Sequence, residues 1–525
     1  MPRRGKNSRR QVTVATPDRW KWRASTLPAS VRRLQLPIRP PLSLTDFARV
    51  DSRARRARRL GDQVYEVAFD RVLWPAWERV IRRRDTITHL AYLEQSQWDP
   101  PEVRQARELE ALVSLLTYAG REVPYYRDLF RTLRFEPRAV TSARELLELP
   151  VLTRETVRER YDDLIAPAAR GKNLKKGTSG STGTPLKFEY SLASECWRQA
   201  VKIRGYSWAG YRPGRKTFYY WAAVSSATPT LKVRVDRALR RETFLDSMRQ
   251  DEASRWAALE TLRRARPEVI VCYTQSCAQF ARWIVERGLR DWDDIPVICG
   301  AEAVLHADRH VLSQAFGPRI FETYGSRETM LIAAECEAHA GMHLSEENLL
   351  VEIIRDGERV EAGEVGDVVI TDLHNYGMPM IRYANGDLAR PAARDRCACG
   401  RGLARLERVD GRRADTLIDG EGNAVPGIVF HVLFSDARRE LVRQFQAVQN
   451  VRGEVTLRVV RGRDFAEEPF EHVTGRFSHY LRGLPFKIEF HEAITPHERS
   501  GKIQTIIVER AAAASAARVA DRTAP

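Results

Sequence analysis

The stretch Lys176–Thr184 reads KGTSGSTGT, and every residue after the lysine is Gly, Ser or Thr. Gly177, Gly180 and Gly183 let the backbone take positive φ and come close to a ligand, while Thr178, Ser179, Ser181, Thr182 and Thr184 supply hydroxyl donors. Donors converging on one concavity suit a polyphosphate. The string is not a P-loop, which needs Gly-x-x-x-x-Gly-Lys-Ser/Thr, and it is not the Gly-x-Gly-x-x-Gly of a dinucleotide fold. Composition alone describes a flexible Gly/Ser linker equally well, so the choice rests on the remainder of the chain.

Four further segments follow in a set order: CGAEAV at Cys299–Val304, YGSRE at Tyr324–Glu328, RYANGDL at Arg382–Leu388 with GRRAD at Gly411–Asp415, and SGK at Ser500–Lys502. Together with the loop, this series resembles the adenylate-forming enzymes. Within them it is most similar to the phenylacetate-CoA ligase-like branch, which includes coenzyme F390 synthetases and capsular polysaccharide biosynthesis homologues. Upstream, VPYYRDLF at Val123–Phe130 and LPVLTRE at Leu149–Glu155 look like the opening segment of that branch. The resemblance spans roughly residues 100 to 508.

The resemblance implies an α/β fold with a large multi-layer N-terminal domain and a small mobile α+β C-terminal lid domain. It implies an ATP-dependent ligase that converts a small-molecule carboxylic acid to an acyl-adenylate and passes the acyl group to a thiol, most often CoA. A carboxylate is a poor electrophile, and its attack on the α-phosphate brings anions together. Such a site needs donors for pyrophosphate, a divalent cation and a lysine. Two other readings stand beside this one: transfer of AMP to a hydroxyl, as F390 synthetases do, and a degenerate, non-catalytic family member.

Residue roles carry over motif by motif. Thr178 to Thr184 would hold the β- and γ-phosphates. Glu328 would bind Mg²⁺ as a hard oxygen ligand, and Tyr324, with Gly325 beside it, would lie against adenine. Gly300, Ala301 and Glu302 would border the adenine and acyl pockets at the carboxyl end of a strand. Asp387 would accept both ribose hydroxyls with help from Arg412, and Lys502 would neutralise the α-phosphate. Read without the series, Glu328 is a helix-start carboxylate, Asn385-Gly386-Asp387 a common turn and Lys502 a solvent-facing lysine. Two departures stand out: Leu186 follows Pro185 where relatives carry a basic or polar residue, and Ala414 occupies the position of the usual acidic hinge residue. The second makes the thioester half-reaction less secure than adenylation.

The formal net charge of +17 is concentrated at one end. Residues 1–60 carry 17 Lys/Arg against 3 Asp/Glu, which leaves +3 for the other 465 residues. Residues 1–59 read as a basic disordered arm that either contacts an anionic partner or is a solvated tail. No apolar run follows the early arginines and no segment approaches a membrane span, so the expected location is cytoplasmic. Seven scattered cysteines argue against a disulfide framework. Cys196, Cys272, Cys277 and Cys299 read as buried thiols. By contrast, Cys336 and His343 with Cys397 and Cys399 make three sulfurs and one nitrogen, a zinc set, with His339 as the alternative nitrogen. The family fold would bring their two segments together.

Along the chain, three-and-four spacing predicts helices from Arg59 to Leu133 as a cap on a large domain over 60–411. VIVCY (Val269–Tyr273), PVICG (Pro296–Gly300) and DVVITDL (Asp367–Leu373) predict strands in an α/β layering. Residues 412–510 read as a small α+β lid: a hairpin in TLIDGEGNAVPG, a helix over Val429–Phe445, and strands in EVTLRVVRG and KIEFHEAI. The tail 511–525 is low-complexity. TFYYWAAV (Thr217–Val224) reads as a core strand, with an aromatic acyl-pocket wall as the alternative. Oligomeric state is not legible.

Overall fold

A computed structural model describes residues 61–178, 186–221, 229–247, 249–393, 395–412, 416–420, 424–426, 430, 434, 441–495 and 505–509. Ser179–Thr184, Ala414, Lys502, the basic arm and the tail lie outside them. Residues Met1–Gln63 form one unit and Val64–Pro525 a second, and the second carries every element below.

After a π-helical stretch at Phe69–Leu73 and another at Trp77–Ile81, helices run over Thr86–Ser96, Pro101–Glu122 and Pro124–Leu133. These helices fall within the Arg59–Leu133 stretch where the spacing predicts them. Strands β1 (Leu174–Gly177) and β2 (Lys187–Tyr190) pair antiparallel. Lys176 and Gly177, read in the sequence as loop, therefore belong to a strand.

A twelve-stranded sheet follows. Its first five strands are β3 (Thr217–Trp221), β4 (Glu242–Asp246), β5 (Val269–Tyr273), β6 (Val297–Gly300) and β7 (Ile320–Ser326). Next come β8 (Met330–Glu335), β9 (Met342–Leu344), β10 (Leu349–Arg355) and β11 (Glu358–Arg359), then β12 (Gly366–Asp372), β13 (Tyr383–Pro391) and β14 (Arg405–Arg412). The spatial order is β11-β10-β12-β13-β14-β9-β8-β7-β6-β5-β3-β4. From β4 to β7 neighbours run parallel, and from β7 to β11 they run antiparallel.

The parallel half is covered on both faces, as continuous apolar strands require. Alternation within VIVCY divides it. Ile270 and Cys272 join Phe218, Phe280 and Phe316 under the helices Glu252–Ala265, Thr274–Glu286 and His306–Phe316. Val269 and Val271 join Phe69, Leu93, Val201 and Phe321 on the other face, where Thr86–Ser96 and Leu192–Ser207 pack. TFYYW is core strand: Phe218 and Tyr220 are both buried.

Beyond Arg412 lies a smaller sheet unit. β15 (Thr416–Ile418) and β16 (Ala424–Pro426) form the expected hairpin. β17 (Val442–Gln449), β18 (Val455–Arg461), β19 (Phe486–Phe490) and β20 (Ile506–Val508) form a sheet of order β19-β18-β17-β20, with the helix Glu467–Tyr480 between β18 and β19. The helix predicted to run to Phe445 does not. Val442–Phe445 are extended and pair with β18, where Phe445 and Ala447 bury beside Val455 and Leu457. Pairing with β18 and unbroken burial over Phe445–Gln449 override the helix-compatible composition of VRQFQAVQ.

The ion pair of Arg198 with Asp372 ties the helix Leu192–Ser207 to the end of β12 at 2.6 Å, both side chains 1% exposed. The guanidinium also lies 4.3 Å over the Tyr190 ring of β2. Removing one partner leaves the other charge buried, so Asp372→Ala should cost about 3–5 kcal/mol, read as a lower urea midpoint. An unchanged midpoint would show that the pair does not hold this junction.

Candidate active site

The hairpin β1–β2 is prolonged by Thr178. Its N–H donates to the Leu186 carbonyl at 2.9 Å, and its Oγ1 accepts the Leu186 N–H at 3.1 Å. That exchange fastens the two ends of residues 179–185 and leaves the hydroxyl proton of Thr178 for another acceptor. Lys176 Nζ lies 5.0 Å over the Tyr190 ring.

β6 ends at Gly300. A Cβ there would stand 3.0 Å from Thr323 Oγ1 and 3.1 Å from the Trp221 ring. The chain then takes a positive φ of 68° at Ala301. Thr274 donates to the carbonyls of Gly300 (3.2 Å) and Glu302 (2.9 Å), and the Gln275 N–H reaches Glu302 Oε2 at 3.1 Å. The CGAE segment is thus pinned to the start of the helix after β5.

Tyr324 of β7 donates its hydroxyl to Asp387 Oδ2 at 2.8 Å. The Asn385 amide donates to both, to Tyr324 at 2.7 Å and Asp387 at 2.8 Å, while the Asp387 N–H returns to Asn385 Oδ1 at 3.0 Å. Arg412 pairs in register with Asp387 across β13–β14 and brings Nε within 3.5 Å of Oδ1. Burial raises the Asp387 pKa against the pull of Arg412, and burial together with Asp387 raises that of Tyr324. Gly386, at φ 86°, makes the bulge that turns Asp387 into this cluster. The Asn-Gly-Asp string is a strand bulge rather than a turn.

Glu328 lies in the β7–β8 turn and is 2% exposed. Its Oε1 accepts Arg154 Nη2 at 3.2 Å and the Tyr383 hydroxyl at 3.1 Å. The same Nη2 donates to the Asn385 carbonyl at 3.2 Å. Arg154 is delivered by a short bridge: the Leu152 N–H donates to the Arg382 carbonyl (2.8 Å) and the Ala384 N–H to the Leu152 carbonyl (3.0 Å). Burial opposes the Arg154 charge, but Tyr383, Glu328 and Asp387 outweigh it and raise its pKa. Arg154, Tyr383 and Asn385 were not among the residues singled out from sequence. The signal available was that they lie inside LPVLTRE and RYANGDL.

Cys336, His343, Cys397 and Cys399 place their ligand atoms within 4.8 Å of one another. Cys336 Sγ lies 3.8 Å from Cys397 Sγ, and Cys399 Sγ 3.3 Å from His343 Nε2. His343 Nδ1 faces the Leu403 carbonyl at 3.1 Å, which as an N–H donor leaves Nε2 to face the sulfurs. Burial lowers the His343 pKa to about 4. His339 instead contacts Glu335 at 2.9 Å and stands outside the cluster. Cys196, Cys272, Cys277 and Cys299 are buried free thiols.

A cavity of about 950 Å³ lies elsewhere, between the helix Pro101–Glu122 and the antiparallel strands, lined by Glu108, Trp197, Glu352 and His374 among others. None of the residues singled out in the sequence lines it. No helix among the described residues is long and apolar enough to cross a membrane.

No protein-family model matches the chain. It is similar to phenylacetate-coenzyme A ligase of Thermus thermophilus, 27% identical over 404 residues, covering 74% of this chain and 87% of the relative. The Escherichia coli K12 phenylacetate-coenzyme A ligase is 25% identical over 350 residues, covering 64% and 78%. Among solved structures, 2-hydroxyisobutyryl-CoA ligase in its postadenylation state with an acyl-AMP aligns at TM-score 0.62 and 18% identity, covering 81% of this chain and 92% of that one. The fold is that of the adenylate-forming CoA ligases, a large sheet with helices and a smaller C-terminal sheet unit. The curated relatives support the phenylacetate-CoA ligase-like branch read from the motifs.

The hairpin carrying Glu328 depends on Gly325, where a Cβ would meet the Met330 carbonyl oxygen at 2.2 Å. Because that contact is backbone, Gly325→Ala should displace the β7–β8 turn, lowering the thermal midpoint and weakening nucleotide binding together. A variant with wild-type values for both would show that the turn tolerates the shift.

Proposed function

We propose that this chain is an ATP-dependent carboxylic acid ligase that forms an acyl-adenylate and transfers the acyl group to a thiol, CoA being the favoured acceptor. The observation that carries it is the convergence of Glu328, Asp387, Tyr324 and Arg412 at the end of the parallel strands. The similarity to phenylacetate-CoA ligases supports the acyl-CoA ligase reading over transfer of AMP to a hydroxyl. The ordered polar cluster argues against a degenerate chain.

In this reading Asp387, held by Tyr324, Asn385 and Arg412, accepts the ribose hydroxyls. The Tyr324 ring and the Gly300–Glu302 segment flank adenine and the acyl group. Thr178 to Thr184 hold the β- and γ-phosphates, and Lys502 brings a positive charge to the α-phosphate. Glu328 is the hard carboxylate for Mg²⁺, which when bound offsets phosphate charge. Positioning of acid against nucleotide supplies much of the rate. The unit after Arg412 acts as the lid, with Ala414 leaving its hinge without the usual carboxylate. Seven free thiols fit a reducing, cytoplasmic setting.

Cys336, His343, Cys397 and Cys399 fit zinc. A tetrahedron with Zn–S bonds of about 2.3 Å has S···S edges of about 3.8 Å, and Cys336 and Cys397 are 3.8 Å apart. Four protein ligands leave no open position, so the role is structural. It would clamp the end of β8 and β9 to the loop before β14.

ATP–pyrophosphate exchange with pools of aryl, fatty and amino acids, without CoA, tests the reading. Exchange with one pool is expected, and none with any pool would contradict adenylation of a carboxylate. Lys502→Ala should slow that exchange by about 10²–10³-fold with an unchanged melting point, whereas wild-type exchange would remove the lysine from the site. Elemental analysis should find about one zinc per chain. Folded, active protein free of metal would exclude the zinc site.

A further inference from the structure

Glu328 presents a physical problem. A carboxylate that is 2% exposed is costly to keep charged unless a cation or several donors face it. The described residues supply Arg154 at 3.2 Å and the Tyr383 hydroxyl at 3.1 Å, both on Oε1. The same Arg154 Nη2 also donates to the Asn385 carbonyl at 3.2 Å, and Arg154 Nε is buried without a hydrogen-bond partner among the described residues. The bridge Leu152↔Tyr383 fixes the segment that carries it. Arg154 cannot leave Glu328 without surrendering a partly buried ion pair. The carboxylate meant for a divalent cation therefore already has a monovalent one beside it.

A divalent cation arriving alone at Glu328 would stand within a few ångströms of the Arg154 guanidinium, and like charges that close in a partly buried site repel strongly. A cation arriving with polyphosphate brings anionic oxygens that can offset both positive charges. We propose that Arg154 is the resident counter-ion of Glu328 and makes divalent-cation binding there conditional on nucleotide. This rests on the assignment of Glu328 to the metal. Arg154 thus acts through Glu328, as a positioning residue with an electrostatic task. The site would stay closed to free cations and become competent only when ATP is present, so ATP and metal enter as one charged unit.

Mn²⁺ binding followed by electron paramagnetic resonance tests this on the full-length chain, with and without ATP, alongside a thermal melt of each variant. Wild type should bind Mn²⁺ in the presence of ATP and weakly in its absence. Arg154→Gln keeps an amide donor but removes the charge, and should bind nucleotide-free Mn²⁺ at least about tenfold more tightly than wild type. Arg154→Lys keeps the charge and should restore the wild-type dependence on ATP. A role confined to structural support predicts the opposite sign, with Mn²⁺ binding weakened in Arg154→Gln whether or not ATP is added. Free Mn²⁺ affinity that is unchanged or reduced in Arg154→Gln, or wild type that binds Mn²⁺ equally without ATP, overturns the inference. Glu328→Gln separates it from the reading beneath it. Loss of ATP-dependent Mn²⁺ binding in that variant upholds Glu328 whatever Arg154 does, and retention overturns both. Should Arg154→Gln melt too low to measure, Arg154→Met supplies the neutral comparison on the same scale.

Discussion

The site depends on one strand being bent at one residue. β13 pairs with β12 on one side and β14 on the other, and the positive φ of Gly386 lets it bulge between those pairings. The bulge puts Asn385 and Asp387 beside Tyr324, while Tyr383, just before it, reaches Glu328. Tyr383, Asn385 and Asp387 are alternate residues, which an extended strand sends to one face, and the bulge sets how that face meets Tyr324 and Glu328.

The strand is held by charge as much as by its ladder. Arg382, at the start of the segment, is 2% exposed, pairs with Glu352 at 3.2 Å and donates to the carbonyls of Leu147 and Leu149. The Leu152 bridge then runs alongside, so the LPVLTRE segment is fastened before and beside the bulge. Such buried pairs are weak sources of net stability but severe constraints on geometry once formed. They fix where Arg154 must point and hence the electrostatic setting of Glu328.

Sequence reading succeeded where a pattern is local and failed where the partner is distant. VIVCY announced a strand of the α/β layering through its β-branched run, and the Asp419-Gly420 pair announced its hairpin. The C-x-C and Cys-His segments could be named as candidates together only through the family resemblance, since 61 positions separate Cys336 from Cys397. Arg154 was invisible as a site residue because its carboxylate lies 174 positions away. The helix carried to Phe445 overran because VRQFQAVQ contains no breaker and its strand partner, β18, begins only at Val455. The Gly/Ser/Thr string begins within β1, a pairing set by register with Phe188 and Lys187 rather than by its own composition.

A crystal structure of the full-length chain with AMP would test the central claim most directly. The account predicts AMP at the end of the parallel strands, with both ribose hydroxyls on the Asp387 carboxylate and the base beside Tyr324. AMP bound elsewhere, for instance in the cavity of about 950 Å³ beside the helix Pro101–Glu122, with Asp387 still closed on Tyr324 and Asn385, would contradict it.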